Sequence, residues 1–329
     1  MQVKKILFIN FGGLGDEILF LPAIEAIKKE YPDSHITLAL EERSKGIISL
    51  TDIIDETIFA NIKKSKYKEL IKLLFKIWSK KYDMVISSGS NKFISLFLFA
   101  TFIKNRYGYN TGKLSEILLT RAVKLNKNQY AVKMYHDLVK PITSNVAELP
   151  KLSVNKKQVE QNTVLIHPGV SNLSVQKGMI KTIPAEKWAS VVDLLADKGK
   201  KVLLIGGPDD KECIDTIVSL VPEDKFKNLY GSTKNLRELA ELISSADKFL
   251  CSDSAPLHIA VSLGVKTFVI FGSTDEKKLI PSSDLVIPIK ANCDCKLQPC
   301  LWERRQTTCE SLDCLNISPE KIVEKVLEN

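Results

Sequence analysis

Strand-like and helix-like stretches alternate along this chain of 329 residues, and the alternation starts twice. The first run reads strand Ile6–Asn10, helix Asp16–Glu30, strand His35–Leu40, a short segment Ile47–Leu50 and strand Ile53–Phe59. It continues with helix Lys66–Lys80, strand Met84–Ser87, helix Phe93–Ile103, strand Arg106–Tyr109 and helix Ala131–Val139. Pro141 to Gln161 has no strong period, is rich in Pro, Ser, Asn and Lys, and reads as a linker. The second run places strands at Val164–His167, Lys201–Ile205, Phe226–Tyr230, Lys248–Cys251 and Thr267–Phe271. Helices Ala185–Asp197, Asp210–Leu220, Asn235–Ser244 and Pro256–Leu263 lie between them. Strands separated by helices must run parallel, with right-handed crossovers. The expected fold is therefore α/β: two Rossmann-like parallel-sheet domains, residues 1–150 and 151–329, facing across a cleft. Ligands in such sheets bind beyond the carboxyl ends of the strands, so the loops that follow strands should carry the chemistry.

Five such loops stand out. Cys251-Ser252-Asp253-Ser254-Ala255-Pro256-Leu257-His258 follows an apolar run and opens a helix. Its Asp and Ser oxygens are expected to cap the first turn, and Pro256 suits an early helical position. A helix starting there aims N–H groups and the positive end of its dipole at a ligand, which favours phosphate, and His258 can face the same site. Asp, Ser and His read here as a nucleotide-diphosphate pocket, with a capped core helix as the plainer alternative. His167-Pro168-Gly169 leads through small polar residues to Lys181, a set that suits diphosphate oxygens. Gly206-Gly207-Pro208-Asp209-Asp210 offers carboxylates to a ribose diol, or else an Asp cap for the next helix. Phe271-Gly272-Ser273-Thr274-Asp275 borders the same site. Near the start, Gly12, Gly13 and Gly15 surround Asp16. Position 18 is Ile where a dinucleotide fingerprint needs a small residue, and a carboxylate at the helix start repels a pyrophosphate, so this loop is not read as an NAD site. Its glycines admit the close approach of an acceptor hydroxyl. Asp16 is then a general base, a cap for its own helix, or both.

Bulk properties narrow the class. The composition, 44% hydrophobic and 26% charged, is that of a globular protein. Met1–Lys5 leads straight into an apolar strand too short for the core of an export signal, so the expectation is a cytoplasmic protein with reduced thiols. Residues 1–150 hold 23 Lys/Arg against 15 Asp/Glu and residues 151–329 hold 24 against 24, so the whole +8 charge lies in the first half. An anionic partner for that domain follows. Residues 61–81 carry eight Lys and one Glu among Leu70, Ile71, Leu74, Phe75 and Trp78. That pattern suits a basic amphipathic helix on an anionic membrane surface, with a solvated helix packed by one stripe as the plain reading. No nucleic-acid reader motif is present. Cys293, Cys295, Cys300, Cys309 and Cys314 cluster late in the chain. Their spacing is not a repeated C-x2-C, so they read as reduced structural thiols rather than a metal site, with zinc the alternative.

Taken in order, the loops resemble the ADP-heptose:lipopolysaccharide heptosyltransferase family, glycosyltransferase family 9. The likeness runs over nearly the whole chain. It rests on Phe11–Asp16 with Leu21-Pro22-Ala23 and Tyr31-Pro32, on His167-Pro168-Gly169 with Lys181, Pro184 and Trp188, and on Asp253–His258, Phe271–Asp275 and Cys309 to Glu320. The resemblance implies the GT-B architecture and an inverting transfer of a heptose, or a related sugar, from a nucleotide diphosphate donor such as ADP-heptose. The implied acceptor is a lipopolysaccharide core or another anionic glycolipid or glycan, and no cofactor is implied. By position, Asp16 would be the base, Lys181 would contact the donor phosphates, and Asp253, Ser254, Ala255 and His258 would line the diphosphate. Asp209 or Asp210 would hold the ribose. Ala255 stands where the family often has Gly, and the loop from Gly169 to Lys181 is long. The rival readings are a nucleotide-sugar epimerase of the same architecture and a nucleotide-sugar-binding protein without transfer activity.

Overall fold

The computed structural model describes residues 3–62, 65–301, 309 and 311–328. The chain divides into two compact units, Met1–Ser153 and Val154–Asn329.

The first unit contains one six-stranded parallel sheet. Its strands are β1 (Lys5–Ile9), β2 (His35–Leu40), β3 (Glu56–Phe59), β4 (Met84–Ser87), β5 (Asn105–Tyr109) and β6 (Arg121–Val123), in the order β3-β2-β1-β4-β5-β6. Central β1 pairs Ile6 with Ile36 on one side and with Met84 on the other. Ile6, Leu7, Phe8 and Ile9 are all buried, as both faces of a covered parallel strand must be. Helix Leu14–Glu30 starts two residues earlier than expected and contains Pro22. One core layer joins Leu7, Ile9 and Val85 of the sheet to Leu73 and Ile77 of helix Lys66–Trp78 and to Ile94, Phe97 and Leu98 of helix Ile94–Ala100.

The second unit repeats the arrangement. Its strands are β7 (Glu160–His167), β8 (Lys201–Leu204), β9 (Phe226–Asn228), β10 (Ala246–Ser252), β11 (Lys266–Ile270) and β12 (Val286–Ile289), in the order β12-β11-β10-β7-β8-β9. Trp188, Val191, Val192 and Leu195 of helix Ala185–Asp197 fill the core with Ile214 and Ile217 and with Ile322, Val323 and Val326 of the final helix. The stretch read as linker ends earlier than expected, because Glu160 and Gln161 already belong to β7. Among the described residues, six strands and α-helices were not anticipated: helix Lys113–Leu118, β6, helix Asn172–Gln176, helix Glu276–Leu279, β12 and helix Pro319–Glu328. All but the last are three to six residues long, too short to show a period, and β12 carries Pro288 at a sheet edge.

Both sheets reverse direction at their centre. The chain builds β1, β2 and β3 outward, then returns to lay β4 on the free side of β1; β7, β8, β9 and β10 do the same. The loops after β1 and β4, and those after β7 and β10, therefore part from each other and open a crevice in each unit.

Candidate active site

In the first unit the crevice is bordered by Asn10–Gly13 and Ser88–Ser90. Ser88 Oγ donates to Asn10 Oδ1 at 2.6 Å, which ties the two loops together. Gly13 is the N-cap of helix Leu14–Glu30, and its N–H donates to Asp16 Oδ2 at 2.8 Å. The capping role foreseen for Asp16 is thus real, and it uses only one oxygen. The other, Oδ1, accepts the Tyr135 hydroxyl at 3.2 Å. A Cβ at Gly12 would stand 2.3 Å from Asp16 Cβ, so a side chain there would push the aspartate out of place. The Gly12 carbonyl accepts from Arg43 Nη2 at 2.9 Å and Ser44 Oγ at 3.2 Å. Tyr135 and Arg43 were not foreseen. Tyr135 is buried with its ring edge-on to Phe20 at 5.3 Å, and burial first, then the charge of Asp16, raises its pKa well above the ordinary value.

Behind Asp16 lies Glu17, fully buried. Burial, and then the neighbouring Asp16 charge, pushes its carboxyl pKa well above the ordinary range, against the opposing pull of Asn10, Gly12 and Arg43. A carboxyl whose folded pKa is raised binds a proton more tightly when folded. Its contribution to stability is complete below the unfolded value of about 4.3 and is lost as pH rises through the folded value. Glu17→Gln escapes that penalty. Its unfolding free energy should match wild type near pH 4.5 and exceed it increasingly toward pH 8, by a gap on the order of 1–3 kcal/mol. Equal unfolding free energies across that range would show that Glu17 ionises freely.

In the second unit the crevice is bordered by His167–Lys181 and Ser252–His258. His167, the last residue of β7, places Nε2 3.2 Å from Asp210 Oδ2 and Nδ1 3.4 Å from Ser254 Oγ. Asp210 is buried, accepts the Gly207 N–H at 2.7 Å, and leaves no room for a Cβ at Gly169, which would fall 1.7 Å from its Oδ1. Asp209 is exposed and accepts from Asn172 N and Nδ2 at 3.0 and 3.2 Å. The adjacent aspartates are thus divided, one structural and inward, the other outward.

Lys181 Nζ lies 3.0 Å from Oδ2 of buried Asp253. Burial alone would raise the Asp253 pKa. The charges of Lys181 and His258, with hydrogen bonds from Lys181 and Thr274, outweigh it and hold the carboxylate below its ordinary range. Ser254 is the N-cap of helix Ala255–Leu263 in extended backbone, with Pro256 in the first turn. The expected side-chain cap is not formed. Ser254 Oγ turns back to the Ser252 carbonyl at 3.3 Å and toward His167, and Asp253 is engaged by Lys181. The first-turn N–H groups are therefore not capped by either side chain, a geometry that suits an anion. His258 is buried one turn into the same helix. Lys181 also borders a cavity of about 570 Å³ whose walls include Val170, Ile180, Pro184, Leu312 and Leu315. Ser273 Oγ holds the Ile180 carbonyl at 2.7 Å, which links the loop after β11 to the strand of chain carrying Lys181.

The late cysteines are free thiols. Cys295, Cys300, Cys309 and Cys314 line a small cavity of about 30 Å³. Burial first, then the neighbouring thiols, pushes Cys314 up to about 11. Among the described residues no group of three or more His, Cys, Asp or Glu side chains is arranged to hold a metal ion.

The model of glycosyltransferase family 9 (heptosyltransferase) matches residues 70–308. Lipopolysaccharide heptosyltransferase 3 of Escherichia coli K12 is 26% identical over 295 residues, covering 83% of this chain and 84% of that one. Lipooligosaccharide heptosyltransferase 2 of Campylobacter jejuni (serotype O:6) is 24% identical over 323 residues, covering 95% of each. Among solved structures, E. coli heptosyltransferase WaaC with ADP-2-deoxy-2-fluoro heptose superposes with a TM-score of 0.74, at 18% identity and 99% coverage of both chains. That likeness establishes the fold, two Rossmann-like domains of the GT-B type.

Proposed function

The chain belongs to glycosyltransferase family 9 and is a glycosyltransferase, and on that footing we propose that it moves a heptose from ADP-heptose, with inversion, to a lipopolysaccharide core or a similar glycan. The full-length matches to a lipopolysaccharide and a lipooligosaccharide heptosyltransferase support the substrate class. The observation that carries the reading is the Lys181–Asp253 pair set against the N-terminus of helix Ala255–Leu263.

Displacement at an anomeric carbon needs an activated hydroxyl on one face and a stabilised diphosphate leaving group on the other. Asp16 takes the acceptor proton; Tyr135 and Gly13 fix its carboxylate, and Gly12 leaves room for the aspartate to hold that position. Lys181 and the N–H groups of Ala255 and its neighbours meet the charge that develops on the diphosphate. Asp253 orients Lys181, and His258 supports Asp253. Of the two aspartates after β8, exposed Asp209 has room for the ribose diol, whereas Asp210 positions His167. Gly13 and Gly15 carry no side chain to obstruct the acceptor. The first unit takes the acceptor and the second the donor. The enzyme works in the cytoplasm, at the inner face of the membrane, held by the basic segment 61–81; no described helix is long and apolar enough to cross a membrane.

A thermal-shift titration with ADP, GDP, UDP, CDP and NAD tests the donor assignment. ADP alone should raise the midpoint, because only a ligand that prefers the native state does so. Lys181→Gln should weaken ADP about 10- to 100-fold, the loss expected for one charged hydrogen bond. A response to NAD, or to no diphosphate, would overturn the reading.

A further inference from the structure

Helix Lys66–Trp78 carries two apolar stripes, and the sheet uses only one. Leu73 and Ile77 are buried, with Leu70 and Leu74 packed beside them. Tyr67, Ile71, Phe75 and Trp78 recur at helical spacing on a second stripe and remain 77%, 55%, 62% and 41% exposed. Four large side chains this exposed on a thirteen-residue helix bury little apolar area within the chain.

The next helix extends the same surface. Helix Ile94–Ala100 buries Ile94, Phe97 and Leu98 and exposes Leu96 and Phe99; exposed Phe93 precedes it and Phe102 follows it. The rings join across the two helices. Phe75 meets Trp78 edge-on at 5.2 Å, Trp78 meets Phe102 at 5.9 Å, and the Trp78 indole N–H donates to the Ala100 carbonyl at 2.9 Å. The Arg106 guanidinium sits 5.5 Å above the Phe99 ring. Phe102 has φ of 58°, a region costly for a bulky side chain, yet its ring is 77% exposed. The strained conformation gains no burial within the chain.

The exposed charges around this face are mostly lysines. Lys68, Lys72, Lys76, Lys81, Lys92 and Lys104 are exposed. The one acid of the helix, Glu69, is taken up by Lys72 at 2.8 Å and by the Asn61 N–H at 3.2 Å. Lys63 and Lys64, part of the basic segment, lie outside the described residues, as does the side chain of Lys66. An aromatic face rimmed by lysine matches a bilayer surface, where rings sit at the headgroup level and ammonium groups meet lipid phosphates. A symmetric contact between two copies would set these lysines against one another.

We propose that the two-helix face formed by Tyr67, Ile71, Phe75, Trp78, Phe99 and Phe102 inserts into the surface of an anionic bilayer and docks the enzyme there. This rests on the membrane association proposed above and transfers its weight from the lysines to the aromatic rings. Lysines alone bind through screened charge and release in salt. Buried rings hold on.

The test uses the full chain, sedimented with vesicles of phosphatidylcholine alone or with a third phosphatidylglycerol, at low and high salt. Wild type should bind the anionic vesicles at low salt and keep a measurable fraction bound at high salt. The variant Ile71→Gln/Phe75→Gln/Phe102→Asn should lose about tenfold or more of its partitioning at both salts. The variant Lys68→Gln/Lys72→Gln/Lys76→Gln should lose binding mainly at low salt and approach wild type at high salt, where charge is screened. Both should keep the wild-type ADP response, which shows an intact fold and leaves the transferase reading separate. Normal binding by the aromatic variant overturns the proposal, whatever the lysine variant does. Failure of wild type to bind either vesicle overturns it too, together with the membrane association but not the transfer activity. A lipid-free dimer of wild type that the aromatic variant turns into a monomer would assign the face to a second copy and likewise overturn it.

Discussion

Asp16→Asn should lower the transfer rate about 10²- to 10⁴-fold, the range in which positioned general bases contribute. The substitution keeps the shape of the side chain. The amide oxygen can still accept the Gly13 N–H that wild type holds at 2.8 Å, so the start of helix Leu14–Glu30 survives. What disappears is the capacity to take a proton from the acceptor hydroxyl. ADP affinity, set by Lys181 and the helix Ala255–Leu263 in the other unit, should change by less than about twofold, because sites that share no partners act independently. Initial rates at saturating donor, with a parallel ADP titration, separate the two quantities. A rate within tenfold of wild type would remove Asp16 from the mechanism.

Trp188→Ala should cost about 3–5 kcal/mol of stability, the range for truncating a large buried ring. Trp188 is wholly buried, and its volume lies between helix Ala185–Asp197 and the sheet. It also carries a polar tie. The indole N–H donates to Thr182 Oγ1 at 2.9 Å. That hydroxyl lies 2.6 Å from Ser252 Oγ, and both hydroxyls reach the Pro168 carbonyl, at 2.7 and 2.8 Å. Three segments that build the donor site, the loop after β7, the turn carrying Lys181 and the end of β10, are joined there. The variant should therefore lose ADP affinity as well as stability, whereas Trp188→Phe keeps most of the ring and should lose only about 1 kcal/mol. Denaturant unfolding checks both; a loss below 1 kcal/mol for the alanine variant would show that the core closes over the gap.

The strands and the long helices were legible because each carries a strong local signal. Ile6-Leu7-Phe8-Ile9 is apolar without alternation, which only a strand covered on both faces requires. The Gly-rich turns after β1, β7 and β8 were visible too, but not the reason for each glycine. Gly12 and Gly169 are small because Asp16 and Asp210 fill the space where their Cβ atoms would go. Contacts between distant segments left no local trace: Tyr135 reaches Asp16 across 119 positions, and Ser273 reaches Ile180 across 93. Asp209 and Asp210 look alike in sequence, and only the turn Gly207–Asp210 sends one inward to His167. The capping expected of Ser254 lost to a competitor two residues back, the Ser252 carbonyl. The basic helix was legible, but not which of its apolar residues face outward. Leu70 and Leu74 pack on the sheet while Ile71 and Phe75 do not.

The most direct measurement is the product formed when the purified enzyme is given ADP-heptose and a lipopolysaccharide core that lacks its terminal heptose. The account predicts one ADP released for each heptose added, with the new linkage in the anomeric configuration opposite to the donor's. Retention of configuration, or ADP release with no heptose on the acceptor, would contradict it.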